Sequence, residues 1–584
     1  MPGPDPTDPS WRLTAPGAGP PRTASDPPRG SRAAASGPHG TRRPDAAARA
    51  VSAGPYGRMC TMPSPEETSA YEDRPAGRPA RRDRTDVVAP TRRDRIAAAG
   101  SELIGGPIGS RALGGQGGRL TPVAVVALTA IGMFALGMVQ KLPCYNWAWF
   151  RGSSSQYTHA CYSDIPHLYL GRGFSEGLTP YFDRLPGDMQ YLEYPVLTGL
   201  FMQVASWFSE VGFWLGISDG DLVQQEQLYW LVNAGMLLAC TAVIAACVAR
   251  TQRHRPWDGL LLALAPAFAL TATINWDLFA VALAAAAMLM WSRGRPLAFG
   301  ILIGLATAAK LYPVFLLAPL LPLCLRTGKW REFITASLGA AGAWLVVNLP
   351  VMVFAPEGWK KFYTFSQERQ IDFGSFWLVI TQRTGEGIAV ETVNDTALVL
   401  VALAFVALCV LTVRAPRRPR YAQLAFLLVA AFILTNKVYS PQYVLWLIPL
   451  AVLARPRWRD FLIWQACEVM YFLGIWMYLA YTTSEKQQGL PAEGYQLAIA
   501  LHLLGTLYLC AVIVRDILRP ERDVVRQDGS DDPAGGVLDG APDVFVLGGA
   551  RRRPDEAAGA AEEPRAGRGA EPASGAEKAP QPAG

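Results

Sequence analysis

Residues 121–140 read TPVAVVALTAIGMFALGMVQ, twenty positions without a charged side chain. A helix needs about 20 such residues to cross the hydrocarbon of a bilayer, so this run predicts a first membrane span. Working outward from it, the chain divides into three zones. Residues 1–120 are rich in Arg, Pro, Ala, Gly and Asp with no sustained apolar period, 121–515 are dominated by apolar runs, and 516–584 return to Arg, Asp, Glu, Gly, Pro and Ala. The end zones carry too little apolar surface to offset chain entropy and read as disordered. Within the first zone MPSPEETSAYEDRP begins at Met62; residues 1–61 read either as a disordered extension or as sequence upstream of the true start. The first long apolar run begins too late for a cleavable secretory signal.

Further runs of membrane length lie at 228–249, 333–354, 396–413, 421–435, 441–454, 461–482 and 495–514. Between them, 258–325 holds shorter apolar pieces broken by TINWD, SRGRP and KLYP. Span length and charge alternation predict an all-α, polytopic integral membrane protein with about 10–13 transmembrane helices. The net charge of +6 resides mainly in the tails and in short loops. That pattern sets membrane topology and gives no reason to expect a nucleic-acid partner. The basic loops near 251–256, 292–296, 326–331, 414–420, 455–460 and 515–522 are expected in the cytoplasm with both termini. The loops 141–227, 273–277, 355–395, 436–440 and 483–494 are then external. Residues 194–216 are apolar enough to cross, but a crossing there would invert the charge rule. They are therefore read as re-entrant or interfacial.

Six of the nine cysteines lie in or beside apolar spans, where Cys packs as a small hydrophobe. Cys144 and Cys161 share the first external loop, where an oxidising compartment would allow them to pair or to stay free. No His/Cys cluster has metal-ligand spacing, so no metal and no cofactor are expected. No GxxxxGK[ST], HExxH or GxSxG pattern is present.

The unusual polar groups gather on the external side: Asp164, His167, Glu193 and Tyr194 in the first loop, and Asn275 and Asp277 around Trp276. Lys310 and Tyr312 sit at a hairpin tip, Arg369 in the long loop, and Asn436, Lys437, Tyr439 and Gln442 in NKVYSPQY. Ionisable groups at membrane depth are costly and mark function. Each also has a structural reading. Asp164, with Pro166 following, and Asp277 suit helix caps; His167 suits a structural hydrogen bond; Lys310 and Lys437 suit lysines that snorkel to the interface. The functional reading makes Lys310, Arg369 and Lys437 the ligands of a lipid phosphate, with Arg able to grip it bidentately.

With YSDI, YLEYP, NWD, GLATAAKLYPVFLLAPLL and NKVYSPQYVLWLIPL in view, the sequence resembles the polyprenyl-phosphate-dependent glycosyltransferases of the GT-C superfamily, and within them glycosyltransferase family 87, the α-mannosyltransferase-like branch. The resemblance covers about residues 121–515 and leaves both tails unmatched. It implies a GT-C-like domain over that range, with an external active site. There a hexose, mannose in this branch, passes from a polyprenyl-phosphate sugar to a hydroxyl of a glycolipid or glycan, with inversion and without a metal. The acid of the first external loop, here Asp164, is implied as general base. Tyr312, Tyr439 and Gln442 are then candidates for sugar hydroxyls and Trp276 for a sugar face; His167, Glu193, Tyr194, Asn275, Asp277 and Asn436 are further substrate-binding candidates. The rival reading is a transporter or flippase for a lipid-linked sugar; such proteins often carry internal repeats, and none is convincing here.

Overall fold

The computed structural model describes residues 94–103, 121–150, 153–185, 189–216 and 221–547. The expectations for 1–93, 104–120 and 548–584 lie outside the described residues. Among the described residues all regular structure is helical, as expected. The helices that position the site are α1 (Arg95–Leu103), α2 (Pro122–Asn146), α3 (Asp164–Gly171), α4 (Val196–Trp214), α5 (Leu222–Thr251), α6 (Asp277–Ser292), α7 (Pro296–Ala309) and α8 (Leu320–Thr327). They continue with α9 (Trp330–Phe354), α10 (Pro356–Glu368), α11 (Val390–Arg414), α12 (Tyr421–Thr435), α13 (Val444–Ala454), α14 (Trp458–Thr483) and α15 (Ala492–Leu518). Six of these, α2, α5, α9, α11, α14 and α15, are long and apolar enough to cross a membrane. The chain is a multi-pass membrane protein.

Local chemistry sets the helix ends. At α2, Thr121 accepts the backbone N–H of Ala124 at 3.2 Å, and Pro122 fills the first helical position, where no N–H is needed. α7 stops at Lys310, three residues before Pro313, and its terminal Ala309 carbonyl accepts Thr198 Oγ1 at 2.6 Å. α7 and α9 approach until their backbones touch, because Gly300 and Gly304 face Ala336 and Ala340; a Cβ on either glycine would overlap the carbonyl oxygen opposite. Small residues four apart are what such close packing in a membrane requires.

The helices run alternately between two chemically distinct ends. At one end the basic loops meet. Arg293 donates to Arg250 O, Arg326 to Thr412 O and Ala415 O, and Gln252 and Arg420 both to Leu453 O. At the other end lie the C-termini of α2 and α7, the N-termini of α5, α6 and α13, and most candidate site residues. α4 starts at this second end, through Thr198, and its Gly212 packs on Leu228 in the second turn of α5. Both ends of α4 therefore lie on one side of the molecule, in keeping with a helix that does not cross.

Two segments read as disordered are ordered. α1 forms because Asp94 caps it, Oδ1 accepting from Ile96 N–H at 3.1 Å, while Oδ2 accepts from Trp458 N–H at 3.1 Å. Residues 519–547 form a strap of turns and 3₁₀ segments across the basic end. Their acids explain it: Asp523 pairs with Arg420 at 2.8 Å, Asp531 with Arg418 at 2.6 Å and Asp543 with Arg326 at 2.7 Å. A composition poor in apolar residues can be held by complementary charge where the partner surface is already in place.

Candidate functional site

Asp164 opens α3, but Ser163 caps the helix: its Oγ accepts from Ile165 N–H at 3.3 Å and donates to Thr273 O at 2.7 Å. The Asp164 carboxylate is thus not used for capping. Its Oδ1 accepts Tyr162 O–H at 2.7 Å, and its Oδ2 accepts Asn275 Nδ2 at 2.9 Å. The backbone N–H of Asp164 donates to Ile274 O at 2.7 Å, fixing the first loop to the NWD turn. Asn275 also donates to Tyr194 Oη at 2.8 Å.

Next to this lies a second carboxylate. Asp277 is fully buried, and it likewise is not a cap, since its Oδ1 accepts Trp446 Nε1 at 2.7 Å while Lys310 Nζ stands 3.3 Å away. The Lys310 ammonium lies 5.6 Å from the centre of the Tyr194 ring. Trp446 stacks between Tyr443 at 4.0 Å and Tyr312 at 4.4 Å. Tyr443 is within electrostatic reach of both Lys310 and Arg369. Arg369 donates through Nε to Asp372 at 3.0 Å, and Asp372 N–H donates to Lys437 O at 3.0 Å. Asp164, Tyr194, Lys310, Tyr443 and Arg369 are all half-buried, and charge links them, Asp164 to Lys310, Lys310 to Tyr443, and Arg369 to both tyrosines. Lys437 stands behind it, beside Arg369, with Nζ on Gln367 O at 2.9 Å.

The electrostatics suit a base facing cations. Burial raises the Asp164 carboxyl above its ordinary value; hydrogen bonds from Tyr162 and Asn275 and the charge of Lys310 pull against that rise. Burial lowers Lys437, and the neighbouring Arg369 lowers it further. Arg369 feels burial too, but the Asp372 carboxylate outweighs it and holds the guanidinium above its usual value.

Several sequence-based assignments need correction. Trp276 is buried with its N–H on Asn233 Oδ1 at 2.7 Å, so its face is not open to a sugar. Tyr439 is buried, its hydroxyl in a network with Glu468 and Thr506. Tyr312 is buried under Trp446, and Gln442 is buried as well. Glu193 is held by Arg172 through bonds of 2.7 and 2.6 Å. His167 bonds Gln156 Oε1 at 2.8 Å and stacks on Tyr162 at 5.3 Å, supporting the tyrosine that donates to Asp164. Asn436 ends α12 and accepts from Val438 N–H at 3.4 Å. Cys144 and Cys161 are joined as a disulfide, their Cα atoms 5.7 Å apart, which ties the end of α2 to the segment before Asp164.

Two residues went unnoticed in the sequence, Lys141 and Tyr162, while Asp372 and Tyr443 stand among the external polar groups but were given no role. Lys141 directly follows the first apolar run, is fully buried, and donates to Tyr162 O at 2.8 Å. A charge at that place was the available signal. Tyr162 sits in the same YSDI as Asp164, and Tyr443 ends NKVYSPQY. Among the described residues no three His, Cys, Asp or Glu side chains gather as they would around a metal ion.

The comparisons with known proteins bear on this same stretch. Residues 191–435 match Glycosyltransferase family 87. The matched stretch contains Tyr194, Asn275, Asp277, Lys310 and Arg369; Asp164 lies upstream of it and Lys437 just beyond it. A solved structure, ArnT from Cupriavidus metallidurans bound to undecaprenyl phosphate, is similar over 65% of this chain and 77% of its own, at 16% identity and a TM-score of 0.31. No curated protein matches the sequence.

Proposed function

We propose that this protein is a glycosyltransferase that moves a hexose, mannose in the first instance, from a polyprenyl-phosphate sugar to a hydroxyl of a glycolipid or glycan on the external face of the membrane. The observation that carries the reading is a partly open carboxylate, Asp164, under the charge of Lys310, with Arg369 reaching the same group of side chains through Tyr443. Asp164 takes the acceptor proton as the hydroxyl oxygen attacks the anomeric carbon. The bond from that carbon to the phosphate oxygen breaks, and the lipid phosphate leaves as an anion already faced by Lys310 and Arg369. It needs no proton, so a single carboxylate suffices, and one displacement inverts the anomeric centre. The phosphate is met by cations of the chain itself, without a metal.

Two features support an external site. The basic loops that favour the cytoplasm sit at the opposite end of the helices. The Cys144–Cys161 disulfide lies at the site end, as an oxidising compartment would permit.

The test supplies membranes containing the protein with a radiolabelled polyprenyl-phosphate mannose and follows label into glycan. Asp164→Asn should cut transfer by about 10²–10⁴-fold, the usual worth of a general base. Lys310→Gln should also reduce transfer, through lost stabilisation of the departing phosphate. Label that crosses the bilayer but stays on its lipid, or an active Asp164→Asn enzyme, would overturn the reading.

A further inference from the structure

At the basic end, far from Asp164 along the helices, a cavity of about 360 Å³ is lined by Arg457, Arg459, Arg515, Glu521, Arg522 and Gln527. It forms where α14 begins, α15 ends and the C-terminal strap turns over both. Four guanidiniums face one carboxylate from the lining. Two of them are already engaged: Arg459 Nε holds Asp460 at 2.8 Å, and Arg515 holds Asp516 at 3.4 Å. Those two acids are shared further, because both also pair with the buried Arg455. Arg457 and Arg522 form no ion pair among the described residues, and the buried Nε of Arg515 has no hydrogen-bond partner among them. The N-terminus of α14 is already met by acids, Asp94 Oδ2 accepting Trp458 N–H at 3.1 Å and Asp460 lying in the first turn.

The surface leading away from this cavity is apolar. Along α14, Ile463 and Met470 are exposed in the turns that follow Arg459. Along α15, Leu504 and Leu507 are exposed in the turns that precede Arg515. α14 and α15 pack tightly, Gly505 lying against Cys467 and Gly474 against Ala498. An anionic head seated among the arginines would therefore have an apolar, helix-lined surface for its chains.

The geometry points to a second, phosphate-binding site in this cavity, distinct from the glycosyl-transfer site and shaped for the phosphate monoester head of a membrane lipid. Guanidiniums bind phosphate oxygens in pairs of parallel hydrogen bonds, which is why four of them around one cavity favour phosphate over a zwitterionic head.

The experiment uses the full chain in a neutral detergent and measures binding of phosphatidic acid carrying a fluorescent acyl chain, against the same label on phosphatidylcholine. Phosphatidic acid should bind at least tenfold more tightly. The double variant Arg457→Gln/Arg522→Gln should lose about tenfold in that affinity while melting at the parent temperature, since neither side chain is ion-paired among the described residues. A Lys310→Gln/Arg369→Gln protein should keep the affinity, which separates this cavity from the transfer site. Glycerol 3-phosphate and inorganic phosphate are added as competitors. If they displace the probe no better than sodium chloride at equal ionic strength, the ligand is the lipid; if they displace it as well as unlabelled phosphatidic acid does, the site takes soluble phosphates. Equal binding of the two lipids, or an unaltered Arg457→Gln/Arg522→Gln protein, overturns the assignment.

Discussion

Asp164 accepts two hydrogen bonds from neutral donors and lies within electrostatic reach of Lys310 and Lys141, and the balance among these sets when it can act as a base. Burial raises its pKa, so the folded protein holds the proton at pH values where the unfolded chain has released it. The folded state then binds more protons than the unfolded one above the ordinary carboxylate value, and this residue's contribution to stability falls as pH rises through that window. Transfer follows the opposite sense, because only the ionised form takes a proton. The acid limb of the pH–rate profile should have its midpoint above the ordinary carboxylate value of 3.8. Tyr162→Phe removes the Oδ1 donor, raises the carboxyl further, and should move that limb to higher pH with a modest loss of rate at the optimum. A profile that stays in place when Tyr162 is changed would show that another group sets it. The residue types at the site were legible in the sequence because a charge beside an apolar run stands out: Asp164, Asp277 and Lys310 were each singled out and do come together. Tyr162 was not, and Tyr443 stood out only as one polar group of its loop, since aromatic residues are plentiful near membrane interfaces. Only the fold shows which of them points at a carboxylate.

At the scale of elements, the periodic apolar runs gave the helices, and a single proline after KLY gave the end of α7. Less legible were the pieces that depend on partners distant in sequence. The strap over 519–547 is ordered by acids meeting arginines about 100 to 220 positions earlier, and a local reading of composition has no access to that pairing. The charges were there to be matched, basic loops on one side and an acidic segment after the last span. Its anchor is Arg420–Asp523, with both side chains buried. Breaking such a pair leaves an uncompensated buried charge, at a cost of about 3–5 kcal/mol. Asp523→Ala should therefore lower the melting temperature clearly, whereas Lys360→Ala, in an exposed pair with Glu357, should change it little. Differential scanning fluorimetry of the detergent-solubilised variants reads both.

Across the whole molecule the two ends differ in chemistry, with a disulfide and the half-buried polar surface at one and guanidiniums with the strap at the other. This polarity predicts a topology. A cysteine introduced at the exposed Glu176 should react with a membrane-impermeant maleimide in intact cells, and one at the exposed Arg253 only after the membrane is opened. The reverse pattern would place Asp164 in the cytoplasm and remove the external site. The lateral placement of α4 matters here, because it keeps the alternation of the remaining helices in step with the basic loops. From sequence that placement rested on the charge rule alone, whereas in the structure Thr198 and Gly212 anchor both ends of the helix.

The strap also bears on biosynthesis. Arg326, Arg418 and Arg420 are translated well before the acids that will neutralise them, and Asp543 emerges after every described helix has been made. Until then the half-made protein presents bare guanidiniums to the ribosome's surroundings. A chain released early, even with all its helices inserted, would carry that unfinished surface as a mark a quality-control protease can read, and an affinity tag is better joined beyond residue 547 than in place of the strap.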